Sequence, residues 1–212
     1  MNPDDRYDVS GLTEAQFEPD SDGAVLRNLL GITSPAEMDA AEANALIEAL
    51  DRLVRLHDEE HRFTANDISE FHRVWLGGIY AWAGEYRQVN VSKGNFMFAA
   101  AGRIPALRFE RDALARYTPC KFETTEEVVS ALAITHVELV LIHPFREGNG
   151  RISRVLSTLM ALQAGLPLLD FGPIAGEKKE SYFAAVRAGL DRNYRPMEKI
   201  FAEVIELSVA GS

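Results

Sequence analysis

One stretch of the chain concentrates residues able to do chemistry: His143-Pro144-Phe145-Arg146-Glu147-Gly148-Asn149-Gly150-Arg151-Ile152-Ser153-Arg154. His143 stands at the end of an apolar helical run, and histidine is the side chain whose ordinary pKa suits proton transfer near neutrality. Glu147, four residues on, is a hard oxygen donor of the kind a magnesium ion takes. The Gly148-Asn149-Gly150 turn lets backbone approach a ligand closely. It opens a helix whose free N–H groups and positive dipole end attract an anion. Arg151 and Arg154, three apart, share a face of that helix. Backbone amides and two guanidiniums to hold a polyphosphate, a carboxylate for a metal and a base for an attacking hydroxyl are what phosphoryl or nucleotidyl transfer requires. A Gly-Asn-Gly turn alone is common between helices, with solvated arginines after it. Against that plain reading, two cations in a first turn oppose the helix dipole unless an anion is bound. The residues by themselves leave both readings open.

The elements that must position this segment are mostly helical. Ser34-Pro35-Ala36-Glu37 reads as a capping box with proline at the first helical position. Met38, Leu46, Leu50, Leu53 and Val54 continue it as an amphipathic helix to about His57. Thr64 caps a second helix carrying Ile68, Phe71, Trp75 and Ile79. From Arg87 to Phe98 the period changes to that of a hairpin, Val89 and Val91 before a turn at Ser92-Lys93-Gly94-Asn95 and Phe96 and Phe98 after it. A third helix is expected over about Arg103 to Tyr117. Thr124-Thr125-Glu126-Glu127 caps a long apolar helix that Pro144 must end. The helix after the Gly-Asn-Gly turn stops at Gly165, and two more are expected over about 177–190 and 196–208. The pattern predicts an all-α fold, a single helical domain over 21–209 with one β-hairpin, preceded by a polar arm over 1–20.

Composition agrees with that class and excludes others. The chain has 212 residues, 47% hydrophobic and 25% charged, and a net charge of −10. Such acidity is wrong for a protein that tracks nucleic acid through many phosphate contacts, though it permits a local basic pocket for one nucleotide. There is no apolar run of membrane-spanning length and no signal-peptide layout, so a cytoplasmic setting is expected. Cys120 is the only cysteine, which rules out an internal disulfide. His57 and His61, four apart in His57-Asp58-Glu59-Glu60-His61, lack the glutamate that a zinc-protease helix places after the first histidine. A solvated helix end is the better reading there. His136, seven residues before His143, reads as a packed, hydrogen-bonded histidine.

The segment resembles the Fic family signature at each of its eight defined positions, His143, Phe145, Glu147, Gly148, Asn149, Gly150, Arg151 and Arg154. The resemblance extends to Tyr80-Ala81-Trp82-Ala83-Gly84-Glu85-Tyr86-Arg87, to a target-docking flap around Val91-Ser92-Lys93-Gly94 and Phe98, and to Tyr194-Arg195-Pro196-Met197-Glu198. It covers roughly residues 24–205 and implies the Fic fold with adenylyltransferase activity. On that resemblance His143 deprotonates a Tyr, Thr or Ser hydroxyl of a target protein, which attacks the α-phosphate of ATP. Glu147 holds Mg2+; Gly148, Asn149 and Gly150 form the anion hole; Arg151 and Arg154 contact the β- and γ-phosphates. Phe145 anchors the loop. The flap residues Ser92, Lys93, Gly94, Asn95, Phe96, Met97 and Phe98 pair with an extended target segment by strand addition.

Many members of the family restrain themselves with a helix carrying Ser or Thr, three residues, Glu, then Gly or Asn. Thr33 to Glu37 is followed by Met38, Asn44 to Glu48 by Ala49, and Glu203 and Glu206 lack the preceding hydroxyl. The resemblance therefore implies a small antitoxin supplying the glutamate in trans, as the stretch Ala24 to Ala43 also suggests, with Glu48 as the alternative internal brake. Two other functions compete. One is transfer of phosphate, UMP or phosphocholine, disfavoured for phosphate by the intact Gly148-Asn149-Gly150. The other is a non-catalytic nucleotide- or partner-binding module, disfavoured by the retained His143.

Overall fold

The computed structural model describes residues 11–106, 113–176 and 178–211. It is mostly helical, with one two-stranded antiparallel sheet. The helices are α1 (Pro35–Leu56), α2 (Ala65–Leu76), the short α3 (Ala115–Tyr117), α4 (Thr125–Ile142), α5 (Asn149–Gln163), the short α6 (Gly172–Ala175), α7 (Lys179–Ala188) and α8 (Arg195–Ala210). Among the described residues no helix is long and apolar enough to cross a membrane.

α4 is the centre. It is apolar on all sides, as a helix surrounded by others must be. It packs most extensively on α5 and α8; α1 lies on α2, α2 reaches α5, and α7 lies on α8. The starts follow local chemistry. Thr64 and Thr124 each accept from the backbone N–H three residues on, and Asp67 and Glu127 return the bond, so both boxes close. At Ser34 the helix begins as expected with proline behind it, but no side-chain cap bond forms and the expected box stays open.

The hairpin is shorter than its alternation predicts. Strand β1 is Ser92–Lys93 and β2 is Phe96–Met97, with Ser92 opposite Met97 and Lys93 opposite Phe96. Gly94, at φ +57, makes the tight turn. Val89 lies outside because its carbonyl accepts from the Arg87 guanidinium instead of a strand partner. Of the third helix expected over Arg103 to Tyr117, Ala101–Ala106 is a 3₁₀ segment with Pro105 inside it. Ala115–Tyr117 is α-helical, and residues 107–112 of that expectation lie outside the described residues.

Residues 11–20, read from sequence as the end of a polar arm, are built into the body. Phe17 bridges Leu26, and buried Glu14 accepts from the N–H groups of Gln88 (2.6 Å) and Val89 (3.1 Å). The His57–His61 stretch also differs from the solvated end expected. Both rings are half-buried and pack edge-on (4.6 Å) beside Phe63 and Phe71. His61 meets Asp67 at 3.2 Å, and the same Asp67 oxygen closes the Thr64 cap.

Candidate active site

α4 ends at Ile142, and His143 leaves it in the left-handed region (φ 52, ψ 61). That conformation costs a non-glycine residue about 1–2 kcal/mol, and such residues persist where surrounding structure over-determines them. Here the His143 N–H donates to Leu139 O (3.0 Å), its carbonyl accepts from Arg87 Nε (2.7 Å), and its ring stacks on Phe98 at 3.6 Å. The ring Nδ1 lies 3.0 Å from Val140 O. A carbonyl only accepts, so Nδ1 carries the hydrogen and Nε2 keeps its lone pair. Burial pushes the imidazole down to about 4, and the neighbouring Arg87 charge adds to the effect. At neutral pH the ring is a neutral base.

The loop after His143 is held from inside. Phe145 is fully buried and stacks on His72 at 4.0 Å. Asn149 is buried, and its amide both accepts from Phe145 N–H and donates to Phe145 O, each at 2.8 Å. Its side chain is thus committed to the loop, and only its backbone N–H is left for a ligand. Gly84 N–H donates to His72 Nδ1 (2.8 Å), so His72 Nε2 donates to Glu147 O (3.1 Å). Burial lowers His72 to about 4, which keeps that tautomer neutral.

The two glycines differ in what demands them. Gly148 has φ +79, and a Cβ there would lie 2.6 Å from the Trp75 ring. At Gly150 such a Cβ would meet no atom within 4 Å among the described residues. The N–H of Gly148 bonds Glu147 Oε1 at 2.9 Å, whereas those of Asn149 and Gly150 find no acceptor among the described residues. Glu147 Oε1 also lies 3.4 Å from Arg151.

Arg151 and Arg154 line the same cavity but in different states. Arg151 pairs with buried Glu42 of α1 at 2.6 Å and lies over the Trp75 ring at 4.6 Å. Glu42 also accepts from Tyr80 Oη at 2.7 Å. Arg154 has a buried Nε with no partner among the described residues. The cavity is about 800 Å³, the size of a site for a small organic ligand. His143, Glu147, Gly148, Asn149 and Gly150 line it, together with the flap residues Ser92, Lys93, Gly94, Asn95, Phe96 and Phe98. Met97, also read as a flap residue, is 63% exposed and is not part of the lining. Lys93 sits 4.2 Å over the Phe183 ring of α7, so the flap and α7 meet across the mouth. Among the described residues, six cationic side chains (Lys93, Arg146, Arg151, Arg154, Lys179, Arg187) and two carboxylates, Glu147 and Glu180, line the cavity. A chain of net charge −10 therefore holds a basic pocket.

Sequence reasoning passed over Arg87, His72 and Glu42. Each carried a signal. Glu42 lies in helical register between Met38 and Leu46, His72 between Ile68 and Trp75, and Arg87 on the same strand parity as Val89 and Val91. All three are polar groups on apolar faces. Two other residues singled out in the sequence are buried: His136 lies between Ser157 and Tyr182, and burial pushes the Cys120 thiol up to about 12.

Residues 62–161 match the model of the Fic/DOC family. The protein adenylyltransferase Fic of Drosophila sechellia is 31% identical over 146 residues, 68% of this chain and 28% of that protein. The protein adenylyltransferase fic-1 of Caenorhabditis briggsae is 30% identical over 156 residues, 73% of this chain and 29% of that protein. The chain thus spans less than a third of the length of these curated relatives. Among solved structures, the N-terminal Fic domain of a VirB-translocated effector from Bartonella quintana superposes with a TM-score of 0.72. Its identity is 23%, over 92% of this chain and 93% of that one. BepC from Bartonella tribocorum, solved with bound AMPPNP, gives 0.66 at 21% identity over 84% of this chain and 91% of that one.

Proposed function

From the premise that the chain belongs to the Fic/DOC family, we propose that it transfers AMP from ATP to a hydroxyl side chain of a target protein. One observation carries the reading. A neutral histidine whose Nε2 has no partner among the described residues shares a basic cavity with two helix N-terminal amides and an Arg154 Nε that, among the same residues, are likewise unbonded. The relatives at about 30% identity are protein adenylyltransferases, and BepC holds an ATP analogue.

In this mechanism the β- and γ-phosphates lie against Arg151 and Arg154, with the Asn149 and Gly150 amides facing the developing negative charge. The target hydroxyl attacks the α-phosphorus while its proton passes to His143 Nε2. The bond from the α-phosphorus to the bridging oxygen breaks, and pyrophosphate leaves with that electron pair. The stacked Phe98 and the Nδ1–H bond to Val140 keep the ring aimed during transfer. Glu147 fits magnesium: its carboxylate is 46% exposed on the cavity, and Oε2 has no protein partner among the described residues. Bound there, the ion would neutralise phosphate charge. The exposed edge of β1 and β2 suits pairing with an extended target strand.

Restraint, on the same reading, comes from outside the chain. Glu48 is exposed, Glu203 pairs with Lys178, and no carboxylate pairs with Arg154 among the described residues. A small antitoxin presenting a glutamate to Arg154 would complete the arrangement, as in a bacterial toxin–antitoxin pair.

The test is which phosphate moves. Purified protein with magnesium, bacterial lysate and ATP labelled at the α-phosphate should label a protein band. Label arriving only from γ-labelled ATP would replace AMP transfer by phosphate transfer.

A further inference from the structure

Arg87 is 1% exposed, the bulkiest of the fully buried side chains, and has no ion-pair partner among the described residues. Carbonyl oxygens satisfy it instead. Nε donates to His143 O (2.7 Å), Nη1 to Val89 O (2.7 Å), and Nη2 to Ala99 O and Ile142 O (3.4 Å). Its backbone N–H donates to Pro144 O (2.8 Å). These acceptors come from two places. Ile142 and His143 are the C-terminal end of α4, where helix carbonyls lack intrahelical partners and a cation is favoured. Val89 and Ala99 are the two stems of the hairpin that carries β1 and β2.

We propose that Arg87 is a positioning residue that locks the flap to the catalytic base, fixing the distance from a docked target strand to His143. The proposal rests on reading His143 as that base. Only a planar fork of donors reaches four carbonyls in divergent directions at once; a lysine has a single donor atom. The base it holds is in a left-handed conformation and stacks on Phe98, the residue just beyond β2. A pull on either stem therefore reaches the imidazole through one guanidinium. Glu14 braces the far side. Its carboxylate accepts from the N–H groups of Gln88 and Val89, and its carbonyl accepts from Arg146 Nε (3.0 Å). Its charge also favours the cationic form of Arg87, against the burial that disfavours it.

The experiment uses the whole chain with Arg87→Lys and Arg87→Met. Histidine ring resonances are recorded at one neutral pH, with the His143 signal identified by its loss in His143→Ala. His57, packed against Phe71 of α2, and His136, fully buried in α4 between Ser157 and Tyr182, report whether the fold is intact. Both variants should shift or broaden the His143 resonance as its stacking on Phe98 loosens, leaving His57 and His136 in place. Self-labelling from α-labelled ATP should fall about tenfold to a hundredfold at saturating ATP, with the affinity for ATP unchanged. An unmoved His143 signal and rate in a folded variant would overturn the proposal. So would loss of the His57 and His136 signals in both variants, since Arg87 would then be needed merely to fold. The spectra require no transfer, so a chain that labels nothing but whose His143 signal follows Arg87 would sink the transferase reading and leave the coupling standing.

Discussion

At the scale of single residues, the two glycines of the Gly148-Asn149-Gly150 turn make the sharpest contrast. Gly148 answers to the fold: φ is +79 and a Cβ would enter the Trp75 ring. Gly148→Ala should lower unfolding free energy by about 2–5 kcal/mol, from left-handed strain and overpacking together. Gly150 answers to the ligand, since a Cβ there meets no atom of the described residues. Gly150→Ala should fold at least as well as the parent, helix propensity favouring alanine by up to about 1 kcal/mol. It should nonetheless lose ATP affinity, by about tenfold or more, because the added methyl stands where phosphate must approach the amides. Denaturant unfolding and calorimetric titration with Mg-ATP read the two effects separately. The motif residues were legible because their types and spacing state a chemistry within twelve positions. Arg87 and His72 were not. Their partners lie 56 and 75 residues away, and a lone polar residue on an apolar face gives no hint of which carbonyl it will meet.

At the scale of elements, α1 is tied to the site through Glu42. Buried Glu42 bridges Tyr80 Oη and the Arg151 guanidinium, and its own carbonyl accepts from Trp75 Nε1 (2.8 Å). Glu42→Ala leaves Tyr80 unpaired in the core and Arg151 without its buried partner. The expected loss is about 1–3 kcal/mol of stability, kept below the cost of breaking a fully buried pair because Arg151 remains 29% exposed. Glu42→Gln, which can still accept from Tyr80, should lose less; thermal unfolding of the two variants checks the order. Helix starts were legible in position: Thr64 and Thr124 cap their helices as read, each closing a full box, while the box read at Ser34 does not form. The hairpin was overdrawn because alternation cannot foresee that Arg87 takes the Val89 carbonyl out of the ladder. Segment 11–20 looked like an arm because its most buried member, Glu14, is a charged residue whose acceptor role depends on loop amides at 88 and 89.

At the scale of the molecule, three histidines are held neutral inside a folded chain. Burial lowers His72 and His143 to about 4 and His136 to about 3, against an ordinary value of 6.5. Above pH 6.5 these rings are neutral in both the folded and unfolded states and contribute no pH dependence. Below it the unfolded chain takes up protons that the folded one refuses, so stability falls as pH drops from 6.5 towards 4. Each ring contributes up to about 1.4 kcal/mol per pH unit in that window. Denaturant unfolding from pH 7.5 to 4.5 should show a steep decline beginning near pH 6.5, and a flat profile would mean that the rings are not neutral in the native state. The all-helical class was legible from composition and period. The full extent of the basic cavity was not, because its cations come from the flap, the loop after α4, α5 and α7 and meet only when the chain folds.

The central claim is that His143 acts as the base of an AMP transfer in a pocket that binds ATP without it. The most direct measurement is the rate at which label from α-labelled Mg-ATP reaches protein in His143→Ala, at nucleotide concentrations shown by titration to saturate both proteins. The rate should fall by about 10²–10⁴-fold with nucleotide affinity unchanged. Transfer at the parent's rate from His143→Ala would contradict the assignment.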